Sequence, residues 1–129
     1  SHLKGLLNSP KEVISRVGGF DIAAITGAMV ACTDLHIPFV IDGYITAVAM
    51  ACATQMNGDA PLYGIPSHYS REVGMAAALA YANIRLDEVP IHGQMALGDG
   101  TGAVLMVQLL KTAHFAFMNI GTMVELLEK

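Results

Sequence analysis

Apolar residues recur with helical spacing in the first third of the chain. In residues 8–19, NSPKEVISRVGG, Ser9 is suited to cap a helix, Pro10 suits its first position, and a glycine pair suits its end. In residues 20–36, FDIAAITGAMVACTDLH, an apolar stripe recurs every three or four residues behind an acid in the first turn. We therefore expect one helix in each segment.

The rest of the chain alternates short apolar runs with helical segments. The runs typical of buried strands are residues 37–44, 61–65 and 89–100. The segments typical of helices are residues 44–56, 71–84, 101–118 and the amphipathic tail 121–129. Alternation of this kind predicts an α/β fold of the Rossmann-like type, with a mainly parallel sheet and helices on both faces. We expect residues 1–129 to form a single domain.

Composition narrows the classes of partner. Apolar residues make up 53% of the chain and charged residues 14%, so we expect an oligomer with an apolar interface. The net charge is −4, and the seven basic residues are scattered, which argues against nucleic acid as a partner.

A membrane span is not expected, because it needs about 20 largely apolar residues in a row. Residues 44–56 are too few, and residues 101–118 contain Gln108, Lys111 and His114. We interpret both segments as buried helices of a soluble protein.

The two cysteines indicate a cytoplasmic protein. Cys32 and Cys52 lie in small-residue helical segments, where a free cysteine packs as a small apolar side chain, and no signal peptide precedes them. The opening Ser1-His2 is typical of the remnant of a cleaved purification tag and is left out of the fold prediction.

Glycines at the start of the last long helix predict an anion site. Gly98, Gly100 and Gly102 leave backbone N–H groups accessible at a helix N-terminus, where a phosphate or carboxylate is favoured. The alternative is a tight turn between a strand and a helix. A dinucleotide site fits poorly, because the glycine fingerprint is incomplete. The roughly 30 residues after it are too few for the rest of a βαβ unit with its ribose-binding acid.

Acids and a serine-histidine pair lie at the predicted ends of the strands. Asp99, between two glycines, is a candidate general base, with helix capping as the alternative. Asp42 is a candidate substrate-binding residue because it ends the first strand. Ser67 and His68 do not form a recognisable hydrolase arrangement, and Ser67 and Ser70 suit hydrogen bonds to phosphate or to backbone; Ser70 also suits a helix cap.

No metal site or cofactor is expected. The histidines show no ligand spacing, and neither cysteine lies near one in sequence. The eight methionines are distributed over several helices, which indicates a role in filling the core.

Four segments in this order resemble a known enzyme family. They are VGGFDIAAITGAMVA, PFVIDGYITAVAMA, IPSHYSREVGM and LGDGTGAVLMVQLLKTA. They resemble the C-terminal portion of the nicotinate-nucleotide:dimethylbenzimidazole phosphoribosyltransferases, over nearly the whole chain. The resemblance implies a three-layer α/β fold, a homodimer, and transfer of phosphoribosyl from nicotinate mononucleotide to a benzimidazole nitrogen with inversion.

The resemblance also implies roles for individual residues. Asp99 takes the position of the glutamate regarded as the base, with a carboxylate one methylene shorter. The residues implied in substrate binding are Leu97 at the benzimidazole pocket, Gly98, Gly100 and Thr101 around the nucleotide, and Ser67 and His68 near the phosphoribosyl group. Met75 replaces a histidine of the family pattern.

The family also has a long N-terminal portion with a further glycine-rich phosphate motif that this sequence lacks. We therefore expect weak catalysis by the chain alone. The alternative is a non-catalytic domain that oligomerises or binds a separate N-terminal subunit.

Overall fold

The computed structural model describes residues 9–96, 98–121 and 123, and only the backbone of Val17. The helices are α1 (Pro10–Val17), α2 (Phe20–Asp34), α3 (Tyr44–Met56), α4 (Met75–Tyr81) and α5 (Thr101–Asn119), and the strands are β1 (Phe39–Ile41) and β2 (Gly64–Pro66). Single 3-10 turns at Ala60–Leu62 and Leu86–Glu88 precede β2 and follow α4. The predicted tail helix, residues 121–129, lies almost entirely outside the described residues.

The first two helices begin as predicted. Ser9 caps α1 by accepting a hydrogen bond from the Glu12 N–H at 3.4 Å, and Pro10 takes the first turn, where it loses no helical hydrogen bond. α2 packs along α3, and the Thr26 hydroxyl donates to the Ala49 carbonyl at 3.3 Å across the pair. The predictions for both helices are confirmed.

The sheet is parallel but smaller than predicted. β1 and β2 pair with Val40 opposite Ile65, and both strands are shorter than their apolar runs. The third run, residues 89–100, contributes only one bridge, between His68 and Ile91, so the prediction of a strand there is wrong. Gln94 adopts a φ of 55°, which takes the chain out of the extended conformation. The α/β class is confirmed, with a two-stranded sheet in the described part of the chain.

α4 is shorter than the predicted helix over residues 71–84. Residues 71–74 form turns, and the Arg71 N–H donates to the Met95 carbonyl. Gly74 lies against the Tyr44 ring, where a Cβ would come within 2.7 Å of ring carbons. Ser70 accepts a hydrogen bond from the Glu72 backbone N–H at 3.4 Å, which is one of the alternatives predicted for it; it does not cap α4, which begins after Gly74.

Small residues and methionines form the core between α2, α3, α4 and the strands. Its most deeply buried members are Ile41, Ala47, Ala49, Met50, Ala53, Ala60, Met75, Leu79 and Ala82. Alanine allows helix backbones to approach closely, and methionine fills irregular gaps. Cys32 and Cys52 are free, and burial raises the pKa of the Cys52 thiol.

α5 differs from the prediction of a buried helix. Only Gly102 and Met106 are buried within the described structure, and apolar side chains on the rest of α5 are exposed. Among the described residues, α5 is the one helix that is long and apolar enough to cross a membrane, judged by length and composition alone. The same properties suit a helix that packs against another polypeptide. That the chain has no membrane span therefore stays a prediction.

Candidate functional site at the start of the last helix

The ends of both strands meet the N-terminus of α5. Asp42 follows β1 directly, and Ser67 and His68 follow β2. Because the strands are parallel, their carboxyl ends lie at the same edge of the sheet, and α5 packs against β1 there. The structure thus brings together three of the predicted site residues and the glycine turn.

Asp42 caps α5 from a distant part of the chain. Its Oδ1 accepts a hydrogen bond from the Ala103 N–H at 2.8 Å, and its Oδ2 accepts one from the Gly100 N–H at 3.2 Å. Gly100 holds the cap position with a φ of 81° and offers no side chain of its own. The anion that occupies these two donors is therefore the Asp42 carboxylate, which also has a favourable interaction with the helix dipole.

Gly102 allows α5 to approach the strand ends closely. A Cβ at this position would collide with the His68 imidazole and lie 3.0 Å from Asp42 Oδ1. Any other residue would push α5 away from both side chains. The glycine turn had been singled out in the sequence, but the role of Gly102 in close approach was not predicted, because its neighbours lie far away in the chain.

Ser67 and His68 form a buried network with Asp42. The Ser67 hydroxyl donates to the Asp42 carbonyl oxygen at 2.5 Å and lies 3.1 Å from His68 Nδ1. His68 Nε2 is buried and has no hydrogen-bond partner among the described residues.

Asp99 stands in the turn that Asp42 caps. It is exposed and adopts a φ of 62°, in the left-handed region that aspartate tolerates better than most residues. Its neighbour Gly100 carries one of the N–H groups bound by Asp42. The Asp99 carboxylate therefore projects from a turn whose next peptide unit is held in place, and the described residues do not bury it.

The remaining predicted site residues are Gly98, Thr101 and Leu97. The Gly98 carbonyl accepts hydrogen bonds from the Thr101 hydroxyl at 3.1 Å and the Thr101 N–H at 3.4 Å, which closes the turn. Leu97 lies outside the described residues. Met75, where the resemblance implies a histidine, is buried in the core.

The described residues contain no group of three or more histidine, cysteine, aspartate or glutamate side chains that could hold a metal ion. The chemistry that the arrangement can offer is that of an exposed carboxylate, a buried imidazole and the polar groups of a tight turn. These groups suit proton transfer and hydrogen bonding to a polar ligand.

Comparison with known proteins identifies the family. A family model described as "Phosphoribosyltransferase" matches residues 2–125. The nicotinate-nucleotide–dimethylbenzimidazole phosphoribosyltransferase of Clostridium acetobutylicum is 38% identical over 113 residues, which is 88% of this chain and 31% of that protein. The enzyme of the same name from Salmonella gallinarum is 37% identical over 110 residues, covering 85% of this chain and 30% of the relative.

A solved structure has the same fold over most of this chain. The crystal structure of the nicotinate-nucleotide–dimethylbenzimidazole phosphoribosyltransferase of Thermus thermophilus superimposes with a TM-score of 0.78 and 31% identity, covering 88% of this chain and 33% of that one. This chain thus spans about a third of the length of the proteins it matches, and it corresponds to their C-terminal part. The chain belongs to the phosphoribosyltransferase family.

Proposed function

We propose that this chain takes part in phosphoribosyl transfer from nicotinate mononucleotide to dimethylbenzimidazole or a related azole base, a step in the synthesis of the lower ligand of cobalamin. The observation that carries the proposal is the family match over residues 2–125. The relatives are named for this reaction. The exposed Asp99 carboxylate, in the turn at the start of α5, is available as a base.

In the proposed reaction, Asp99 is the base. One nitrogen of the azole attacks C1′ of the ribose, while Asp99 accepts the proton from the other nitrogen. The glycosidic bond to nicotinate breaks, and its electron pair neutralises the ring nitrogen of the departing nicotinate. The products are α-ribazole 5′-phosphate, nicotinate and a protonated Asp99, which then releases its proton to solvent.

The other proposed contacts are those that the family resemblance implies, and the proximity of these residues at the strand ends supports them. Thr101 and the glycine turn are available to the nucleotide, whereas the N–H groups of Gly100 and Ala103 are occupied by Asp42. Ser67 and His68 lie beside that turn, so we place the phosphoribosyl group on this side. A homodimer, a cytoplasmic location and the absence of nucleic acid among the partners remain predictions.

Calorimetric titration with nicotinate mononucleotide and then dimethylbenzimidazole, followed by a product assay at high protein concentration, tests the proposal. We expect binding and slow product formation. Asp99→Asn should abolish turnover but retain nucleotide binding. Asp99→Glu should increase turnover if the base is too far from the azole proton, because a misplacement of about 1 Å costs on the order of 100-fold. Asp21→Asn, an exposed acid in the first turn of α2, is the matched control.

If the chain is folded and neither nicotinate mononucleotide nor dimethylbenzimidazole binds to it, the proposal is contradicted. Unchanged turnover in Asp99→Asn would instead show that another group is the base.

The exposed surface of α5 favours a second candidate function, the binding of a further polypeptide. Phe115 is 69% exposed and Phe117 is 82% exposed on this helix, and several aliphatic side chains beside them are also exposed. An apolar surface of this kind is typical of an interface. We propose that a second copy of the chain covers it, which would make the domain an oligomerisation module.

Light scattering with size-exclusion chromatography distinguishes this candidate. We expect a dimer that Phe117→Ser dissociates, whereas Phe20→Ser, which changes a 97% exposed residue outside α5, leaves it intact. A chain that is monomeric at working concentration would rule out the second copy.

A further inference from the structure

Asp42 binds the turn that contains Asp99 and the first turn of α5 at the same time. Its two carboxylate oxygens bind N–H groups that stand before and within the first turn of α5, at Gly100 and at Ala103. The Gly100 N–H belongs to the peptide that links it to Asp99. Fixing that peptide fixes the direction in which the chain leaves Asp99.

The backbone of Asp42 is itself held. Its carbonyl oxygen accepts a hydrogen bond from the Ser67 hydroxyl, which connects the end of β1 to the end of β2. The neighbouring Gly43 N–H donates to the Thr46 hydroxyl at 2.9 Å, and both hydrogen bonds of the Asp42 carboxylate go to α5. Asp42 thus connects the sheet to the turn: its carbonyl oxygen bonds to the end of β2, and its carboxylate bonds to the start of α5.

The conformation of Asp99 needs such a restraint. A non-glycine residue at a φ of 62° is disfavoured relative to the right-handed and extended regions, and two flanking glycines make the unrestrained turn flexible. The contact of Gly102 with His68 and Asp42 adds a second restraint, because it keeps the start of α5 close to the strand ends.

We propose that Asp42 is a positioning residue, whose carboxylate holds Asp99 in the left-handed conformation and so directs the Asp99 carboxylate. The assignment of Asp99 as the acting carboxylate rests on the proposed function. The restraint on its backbone does not. Asp42 acts on the turn and not on substrate.

Asp42→Asn tests this, because it keeps the shape of the side chain but places an N–H₂ group where one acceptor stood. Amide hydrogen exchange measured by NMR should become at least about 10-fold faster at Gly100 and Ala103, while the core amides of Met50 and Leu79 keep their protection. The Asp99 Cα chemical shift should move away from its left-handed value. Asp21→Asn, which removes an acid from the first turn of another helix, should change none of these signals.

Kinetics give the second readout. In Asp42→Asn, kcat should fall about 10- to 100-fold through misplacement of Asp99, while KM for nicotinate mononucleotide changes by less than about threefold. A loss of general stability would instead remove protection from the core amides. If Asp99→Asn abolishes turnover, a kcat that is unchanged in Asp42→Asn while the Asp99 signal moves would overturn the positioning role.

The two arms separate the inference from the proposed function. An Asp99 Cα shift that stays in place in Asp42→Asn overturns the inference, whether or not the chain is active. A wild-type chain without turnover contradicts the proposed function, and the NMR arm then decides the inference by itself. If Asp42→Asn loses core protection, Asp42→Glu decides: it keeps the charge and both acceptors, but its extra methylene must displace the turn and move the Asp99 signal.

Discussion

Two regions of the molecule are both rich in apolar residues but have opposite environments. One consists of the packed helices α2, α3 and α4, and the other is the helix α5. α3 buries Ala47, Ala49, Met50 and Ala53, and it is bound to its neighbours along its length. α5 is longer, yet it is buried only at Gly102 and Met106. Its described contacts with the rest of the domain are concentrated near its first turn.

The difference shows that apolar content alone does not determine whether a helix is buried within this domain. In α3 the partner is the same chain, and small side chains allow close approach. In α5 the exposed residues include large aromatic and aliphatic side chains, which are typical of a surface that packs against a further polypeptide. The stability of this domain should therefore depend on residues of the first region and very little on the exposed residues of α5.

The largest contrast is expected from two leucine truncations. Leu79 in α4 is 0% exposed and Leu109 in α5 is 45% exposed. Leu79→Ala should reduce the free energy of unfolding by about 3 kcal/mol, because it leaves a cavity, whereas Leu109→Ala should change it by less than about 1 kcal/mol. Urea denaturation followed by circular dichroism measures both. Equal losses would show that α5 is buried in solution.

Two glycine substitutions compare the packed start of α5 with an open position in α2. Gly102→Ala places a methyl group against the His68 ring and should cost about 1 to 3 kcal/mol through overpacking. Gly27→Ala in α2 meets nothing within 4 Å and should stabilise the helix by about 0.5 to 1 kcal/mol. Thermal unfolding should therefore shift in opposite directions. A neutral Gly102→Ala would mean that α5 can move away from the strand ends at little cost.

Two threonines give the smallest contrast. The buried Thr54 hydroxyl lies 3.3 Å from the Ala82 carbonyl and 2.9 Å from the Met50 carbonyl, whereas the exposed Thr112 on α5 lies 3.0 Å from the Gln108 carbonyl. Thr54→Val should cost about 1 to 2 kcal/mol, because it leaves a buried carbonyl without its partner, and Thr112→Val should stay within about 0.5 kcal/mol. Chemical denaturation of both variants measures the difference. A larger loss for Thr112→Val would contradict the division into the two regions.

Local signals in the sequence were sufficient for the starts of several elements. Ser9 and Pro10 mark the beginning of α1, and the glycine turn marks the beginning of α5, because capping and left-handed turns depend on residues within a few positions. The family resemblance of the four quoted segments was also readable from the chain, and it was confirmed by the match over residues 2–125.

Other features could not be read locally. Residues 71–74 form turns before α4, where Gly74 packs on Tyr44 of another helix and the Arg71 N–H donates to the distant Met95 carbonyl. The third predicted strand is lost after a single bridge, where Gln94 leaves the extended region. A periodicity pattern contains no information about either contact.

The α/β class, the positions of most helices and the placement of an acid in a glycine turn all follow from the order of the amino acids. The packed chain was needed to establish that the anion at the N-terminus of α5 is the Asp42 carboxylate, that Gly102 is required for the approach to His68, and that α5 is exposed. The physical reason is distance along the chain. Asp42 and Ala103 are separated by 61 positions, so their hydrogen bond forms only when the strands and α5 have packed together.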